Sequence, residues 1–106
     1  MSREEIKTPD EIAELIHRRR RQILVHSVLY YKMSENIISD AQWTIWAVEL
    51  EELQRDYPQI AANVPMAEEF EDFDHSTGMN LPLTHPLAIN KARQLLQYHK
   101  KYKENK

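Results

Sequence analysis

Ile38-Ser39-Asp40-Ala41-Gln42-Trp43, continued without a break by Thr44-Ile45-Trp46-Ala47-Val48-Glu49-Leu50-Glu51-Glu52-Leu53, is the stretch on which the fold turns. The Ser39 hydroxyl is placed to accept from the backbone N–H three residues on, and Gln42 stands where its side chain can return the bond, the pattern of a capping box. A helix is therefore predicted to begin at Asp40. Ile38 before the cap and Trp43 in the first turns have the spacing of a hydrophobic staple, which fixes the angle at which the chain enters the helix. Trp43, Trp46, Ala47, Leu50, Leu53 and Tyr57 then recur every three or four residues opposite Glu49, Glu51, Glu52 and Arg55, so one face seeks a core and the other seeks water. Tyr57-Pro58 closes the run, because proline disfavours the α conformation of the residue before it.

Upstream, Thr8-Pro9-Asp10-Glu11 is a second start signal: Thr8 caps, Glu11 reaches back, and Pro9 sits where its missing N–H costs nothing. Ile12, Leu15, Ile16, Ile23, Leu24, Val28, Leu29 and Met33 keep helical spacing around Arg18 to Arg21, which predicts one long helix over about 9–33 in preference to a bend near Arg20. The two helices form a hairpin. Downstream, 59–85 reads as an irregular acidic connection with Pro65, Pro82, a Ser76-Thr77-Gly78 turn and a short helix over Met66 to Phe73. Phe70, Phe73, Met79, Leu81 and Leu83 are expected to pin it to the hairpin, since a free segment has little use for them. A last helix over about 86–102 starts at Pro86 after a cap at His85 or Thr84 and carries Ala88, Ala92, Leu95, Leu96 and His99 on one side, with a basic tail expected to fray. The fold class is all-α, in a single domain over 1–106.

Composition narrows function by exclusion. With 106 residues, 42% of them hydrophobic and 29% charged, the chain suits one modest core. No apolar run approaches a membrane span and Met1 to Glu5 lack the apolar stretch of a signal peptide, so a cytoplasmic protein is expected. The absence of cysteine removes disulfides, thiolate catalysis and thiolate metal sites together. The single glycine, Gly78, cannot build a phosphate cradle, which needs several. The histidines His17, His26, His75, His85 and His99 include no pair spaced to place two ligands on one helix face, and the Asp72, Asp74 and His75 grouping reads as surface acidity, so no metal is expected.

One run goes further than composition. His26-Ser27-Val28-Leu29-Tyr30-Tyr31, then Ile37-Ile38-Ser39-Asp40-Ala41-Gln42-Trp43, then Glu49-Leu50-Glu51-Glu52-Leu53 and Tyr57-Pro58, resembles the small N-terminal helical domain, of Ia type, of bacterial NAD-dependent DNA ligases. The resemblance covers 22–58. It implies a helical hairpin whose corner, in that family, closes over the nicotinamide mononucleotide half of NAD. Tyr30 and Asp40 match the family's tyrosine and Ser-Asp aspartate, whereas Tyr31 stands where the family has histidine, Trp43 replaces a tyrosine and Thr44 replaces a second aspartate. Tyr30, Tyr31, Asp40 and Trp43 are thus the implied ligand-binding set, for nicotinamide mononucleotide or NAD if for any cofactor. The family's "K-x-D-G" adenylation motif and its "S-P-T-x-x-V-G" linker are absent, so no catalytic residue is assigned.

These readings predict a non-enzymatic helical adaptor or accessory protein linked to DNA metabolism, with a protein partner, of a kind expected in a phage or bacterial genome. Two alternatives stand beside it. One is a nucleotide-binding module at the aromatic corner; the other is a nucleic-acid binder using Arg18, Arg19, Arg20 and Arg21 with the lysine-rich tail. Against the second, the net charge is -3 and four consecutive arginines on a helix point in four directions.

Overall fold

The computed structural model describes residues 7–104; the N-terminal pentapeptide and the last two residues of the tail expected to fray lie outside that range, while 100–104 continue the final helix. Four helices follow one another: α1 (Pro9–Met33), α2 (Asp40–Asp56), α3 (Pro58–Ala61) and α4 (Pro86–Glu104). The chain is all-α, and no described helix is long and apolar enough to cross a membrane.

Each long helix starts where its cap residues place it. Thr8 accepts from the Glu11 N–H at 3.2 Å and the Glu11 carboxylate accepts from the Thr8 N–H at 2.9 Å, a complete capping box, and α1 then runs unbroken through the arginines. At Ser39 the first half of the expected box is in place, with the hydroxyl accepting from the Gln42 N–H at 3.0 Å. His85 caps α4 through Nδ1, which accepts from the Leu87 N–H at 3.2 Å. At the end of α1, Ser34 takes a left-handed conformation with φ 54° and lets the chain reverse towards α2.

Helix α1 is the spine, packed against both α2 and α4. Ile16, Ile23, Val28 and Leu29 meet Ala47 and Leu50 of α2 and Ala92 of α4 in one core, into which Phe70 inserts from the 59–85 connection. Small residues at Ala88 and Ala92 give α4 a shallow buried face.

The connection departs from expectation in three places. Pro58 stops α2 but also occupies the first position of α3, a turn of helix that the sequence reading did not contain. Met66 to Phe73 is a series of turns rather than a short helix: Met66 has φ 73°, a conformation costly to a side-chain-bearing residue, and it breaks the helical path at its start. Met79, expected to pin the segment, is 62% exposed, while Phe70 and Leu81 are buried and Phe73 and Leu83 pack against the core. Tyr57 likewise lies outside the α2 stripe, 40% exposed.

What holds the connection down is Arg20. It sits on the same face of α1 as Ile16 and Ile23 and is only 2% exposed. Its Nη1 donates to the carbonyls of Val64 and Pro65 at 3.0 Å each, Nη2 to Ala61 at 3.0 Å, and Nε to the Gln54 side-chain oxygen at 2.8 Å. Gln54 in turn donates to the Phe70 carbonyl at 3.1 Å. One guanidinium thus ties α1, α2, the Ala61 end of α3, the Val64 and Pro65 carbonyls beyond it and the Phe70 turn together, with its Cζ 5.9 Å from the Phe70 ring centroid. Burial lowers its pKa and Glu69 opposes that shift, but a guanidinium stays protonated.

Candidate functional site

Tyr30, Tyr31, Asp40 and Trp43 do come together. The left-handed Ser34, the Glu35 N–H bond to the Leu29 carbonyl at 2.9 Å and the Ser39 cap fold the end of α1 onto the start of α2. All four side chains line one cleft of about 210 Å³ at that corner, joined by the 75–77 turn. A planar aromatic ring fits such a space; it is below the usual range of about 300–1,000 Å³ for drug-sized ligands.

The corner is also where the chain packs on itself. Tyr31 Oη lies 3.0 Å from Thr77 Oγ1, and that hydroxyl also accepts from the Met79 N–H at 3.0 Å. The Trp43 ring meets Phe73 edge-on at 6.5 Å between centroids. Tyr30 packs edge-on against Tyr31 at 4.9 Å yet is 54% exposed, and Asp40 lies exposed in the first turn of α2, where the helix dipole favours its charge. The Glu51 carboxylate pins the next turn by accepting from His75 through the backbone N–H at 2.9 Å and Nδ1 at 2.8 Å. Those bonds from His75 hold the Glu51 carboxyl below its ordinary value.

Two residues outside the implied ligand-binding set matter here. Ser27 is fully buried beside the cleft and its hydroxyl has no hydrogen-bond partner among the described residues. Gly78 lies directly over it: a Cβ at Gly78 would stand 2.3 Å from Ser27 Oγ and 3.3 Å from Trp43 Cζ2. The glycine is therefore required by close approach and not by a positive φ, since its backbone lies outside the left-handed region. The signal for Ser27 was its position, four residues after Ile23 on the buried stripe of α1.

The arginine block divides four ways. Arg18 reaches Glu14 at 3.7 Å on the exposed face. Arg19 donates to Glu49 at 2.7 Å and to Gln22 at 2.7 Å and lies over the Trp46 ring. Arg20 is buried as described, and Arg21 is exposed with no carboxylate partner among the described residues. Burial holds His26, which packs on Trp46, below its ordinary pKa; burial and then Arg21 and Arg20 do the same to His17. Among the described residues no group of three or more His, Cys, Asp or Glu side chains is placed to hold a metal ion. The corner presents aromatic faces, hydroxyls and the carboxylates of Glu35 and Asp40, a set suited to contact.

The chain is 29% identical over 82 residues to a DNA ligase of Pseudothermotoga lettingae, an alignment that takes in 70% of this chain and 12% of that protein. The similarity is thus to a small segment of the ligase and extends beyond the 22–58 run. No family model matches the chain. No solved structure matches it either.

Proposed function

We propose that this chain is a non-enzymatic accessory module of DNA metabolism in a phage or bacterium, built on an Ia-type hairpin and acting by binding a protein partner. The observation that carries this reading is the internal use of the ligase-like corner. Tyr31 is bonded to Thr77, Trp43 packs on Phe73, and Gly78 covers Ser27, so side chains that a ligand would engage join the 59–85 connection to the hairpin. A ligase begins by adenylating its own lysine, and this chain lacks the motif for that step. Intact-mass measurement after incubation with NAD or ATP and magnesium tests the non-enzymatic reading. The unmodified mass is expected; a covalent adenylate on any lysine would overturn it.

A second reading, a binding site for nicotinamide mononucleotide, is favoured by one feature. The Ser27 hydroxyl is buried at the cleft without a partner, and Tyr30, Asp40 and Trp43 surround the same space. A buried unpaired hydroxyl costs about 1–3 kcal/mol, which a ligand group at the cleft would recover. Loss of nucleotide binding in Ser27→Ala, with the fold retained, is the outcome that would establish it.

A further inference from the structure

A second, larger hollow lies away from the ligase-like corner. Between α1 and the first half of α4 runs a trough of about 530 Å³, closed at one side by the Pro65-Met66 turn. Its floor is apolar, made by Leu24, Val25, Ala88 and Leu95, and Leu87 stands at its edge 73% exposed. Arg18 and Arg21 border it on α1 and Lys91 on α4, and no Asp or Glu is among its lining residues. Among the described residues, Arg21 and Lys91 have no carboxylate partner and Arg18 has only the long exposed contact to Glu14. An exposed leucine beside a continuous apolar floor marks a contact surface, and unneutralised cations on both banks set the sign of what fits it.

We infer that this trough receives a short amphipathic helix whose apolar face is flanked by acidic residues, contributed by another protein. The wall residues run from His17 to His26 on α1 and from Leu87 to Leu95 on α4, roughly 12–14 Å at 1.5 Å per residue. That length holds two turns of a docked helix, enough for apolar anchors at i, i+4 and i+7 with carboxylates reaching Arg18, Arg21 and Lys91. Nucleic acid is a poorer occupant, because the floor is aliphatic and no Phe, Tyr or Trp lines the trough as a stacking platform for bases. The inference rests on the accessory-module reading and gives the chemistry of its partner.

The test is selection of random displayed peptides on the immobilised full chain, followed by polarisation titration of the enriched sequences. Acidic peptides with helically spaced apolar residues are expected, binding more weakly as salt rises. Arg21→Glu combined with Lys91→Glu, and separately Leu87→Asp, should each weaken binding about tenfold or more. All three positions are exposed, so the variants should keep the parent's circular dichroism melt. The inference is overturned by failure to enrich, by enriched sequences that are basic or neutral, or by binding that the variants leave unchanged. Self-association of the free chain abolished by Leu87→Asp would assign the trough to a second copy and overturn it too. Failed selection with the mass assay negative removes the trough alone; adenylation removes the accessory reading whatever the peptides do.

Discussion

Replacing Arg20 with alanine should cost more stability than any other single arginine change. Four donors disappear, leaving the carbonyls of Val64 and Pro65 and the side-chain oxygen of Gln54 without their partner and the Ala61 carbonyl with only the long bond from the Val64 N–H at 3.4 Å. The bonds to Ala61 and Val64 are buried; an orphaned buried acceptor such as the Val64 carbonyl costs about 1–3 kcal/mol, the Ala61 carbonyl is left under-satisfied, and the part-buried acceptors can turn to water. Removing the guanidinium also releases its desolvation cost, so the net loss should be about 3–4 kcal/mol. A chain of 106 residues has roughly 5–16 kcal/mol to lose. At about 4–8 °C per kcal/mol, the melting temperature should fall by roughly 12–30 °C. Arg20→Lys keeps a charge but not the planar fork that reaches three carbonyls at once, so about half the loss should remain. Thermal and urea denaturation followed by circular dichroism measure both variants. A loss below about 1 kcal/mol in Arg20→Ala would refute the claim that this side chain ties the connection to the hairpin.

Other perturbations follow from the same packing. Gly78→Ala should destabilise by about 1–3 kcal/mol through overpacking against Ser27 and Trp43, and Ser27→Ala, which deletes an unpartnered buried hydroxyl, should be neutral or stabilising by about 1 kcal/mol; a double-mutant cycle should show favourable coupling between the two. Ser34→Gly should raise stability by about 0.5–1 kcal/mol, because the left-handed φ of 54° is strained for serine and free for glycine; an unchanged urea midpoint would contradict it. The folded state holds His26 and His17 below the ordinary value of 6.5, so the unfolded chain takes up protons first. Stability should therefore be full above that pH and decline as pH falls below it, with His26→Gln flattening the decline in urea midpoints measured across that range. Glu51, also held low, contributes above its ordinary value of 4.5 and loses that contribution as pH falls through its folded value, so Glu51→Gln should remove a further acid-side loss.

The hairpin and the last helix were legible because their boundaries depend on local chemistry. Thr8 with Glu11, Ser39, His85 and Pro86 each meet a free N–H or fill a helical first position within three residues, and the structure uses every one. The connection was not legible because long-range bonds decide it. Pro58 serves both as the stop of α2 and the start of α3, and only the stop is visible from the residue before it. Met66 to Phe73 has the composition of a helix, but the Arg20 clamp on Val64 and Pro65 and the positive φ of Met66 turn it aside. Arg20 looks like its three neighbours in sequence. Counting along the stripe of Ile12, Ile16, Ile23 and Leu24 would have singled it out, since position 20 falls on that buried face, as does Ser27. The four corner residues were found through the resemblance; that Tyr31 and Trp43 meet Thr77 and Phe73 depends on how 59–85 folds back, which no spacing encodes.

On the proposed reading, the ligase-like corner joins the chain to itself instead of receiving a nucleotide. Titration of nicotinamide mononucleotide, followed by tryptophan emission, addresses it most directly because Trp43 lines the cleft. Emission unchanged through millimolar ligand is the expected result. A saturable change that Asp40→Asn or Ser27→Ala abolishes, with the fold intact, would contradict the claim and make the corner a nucleotide site.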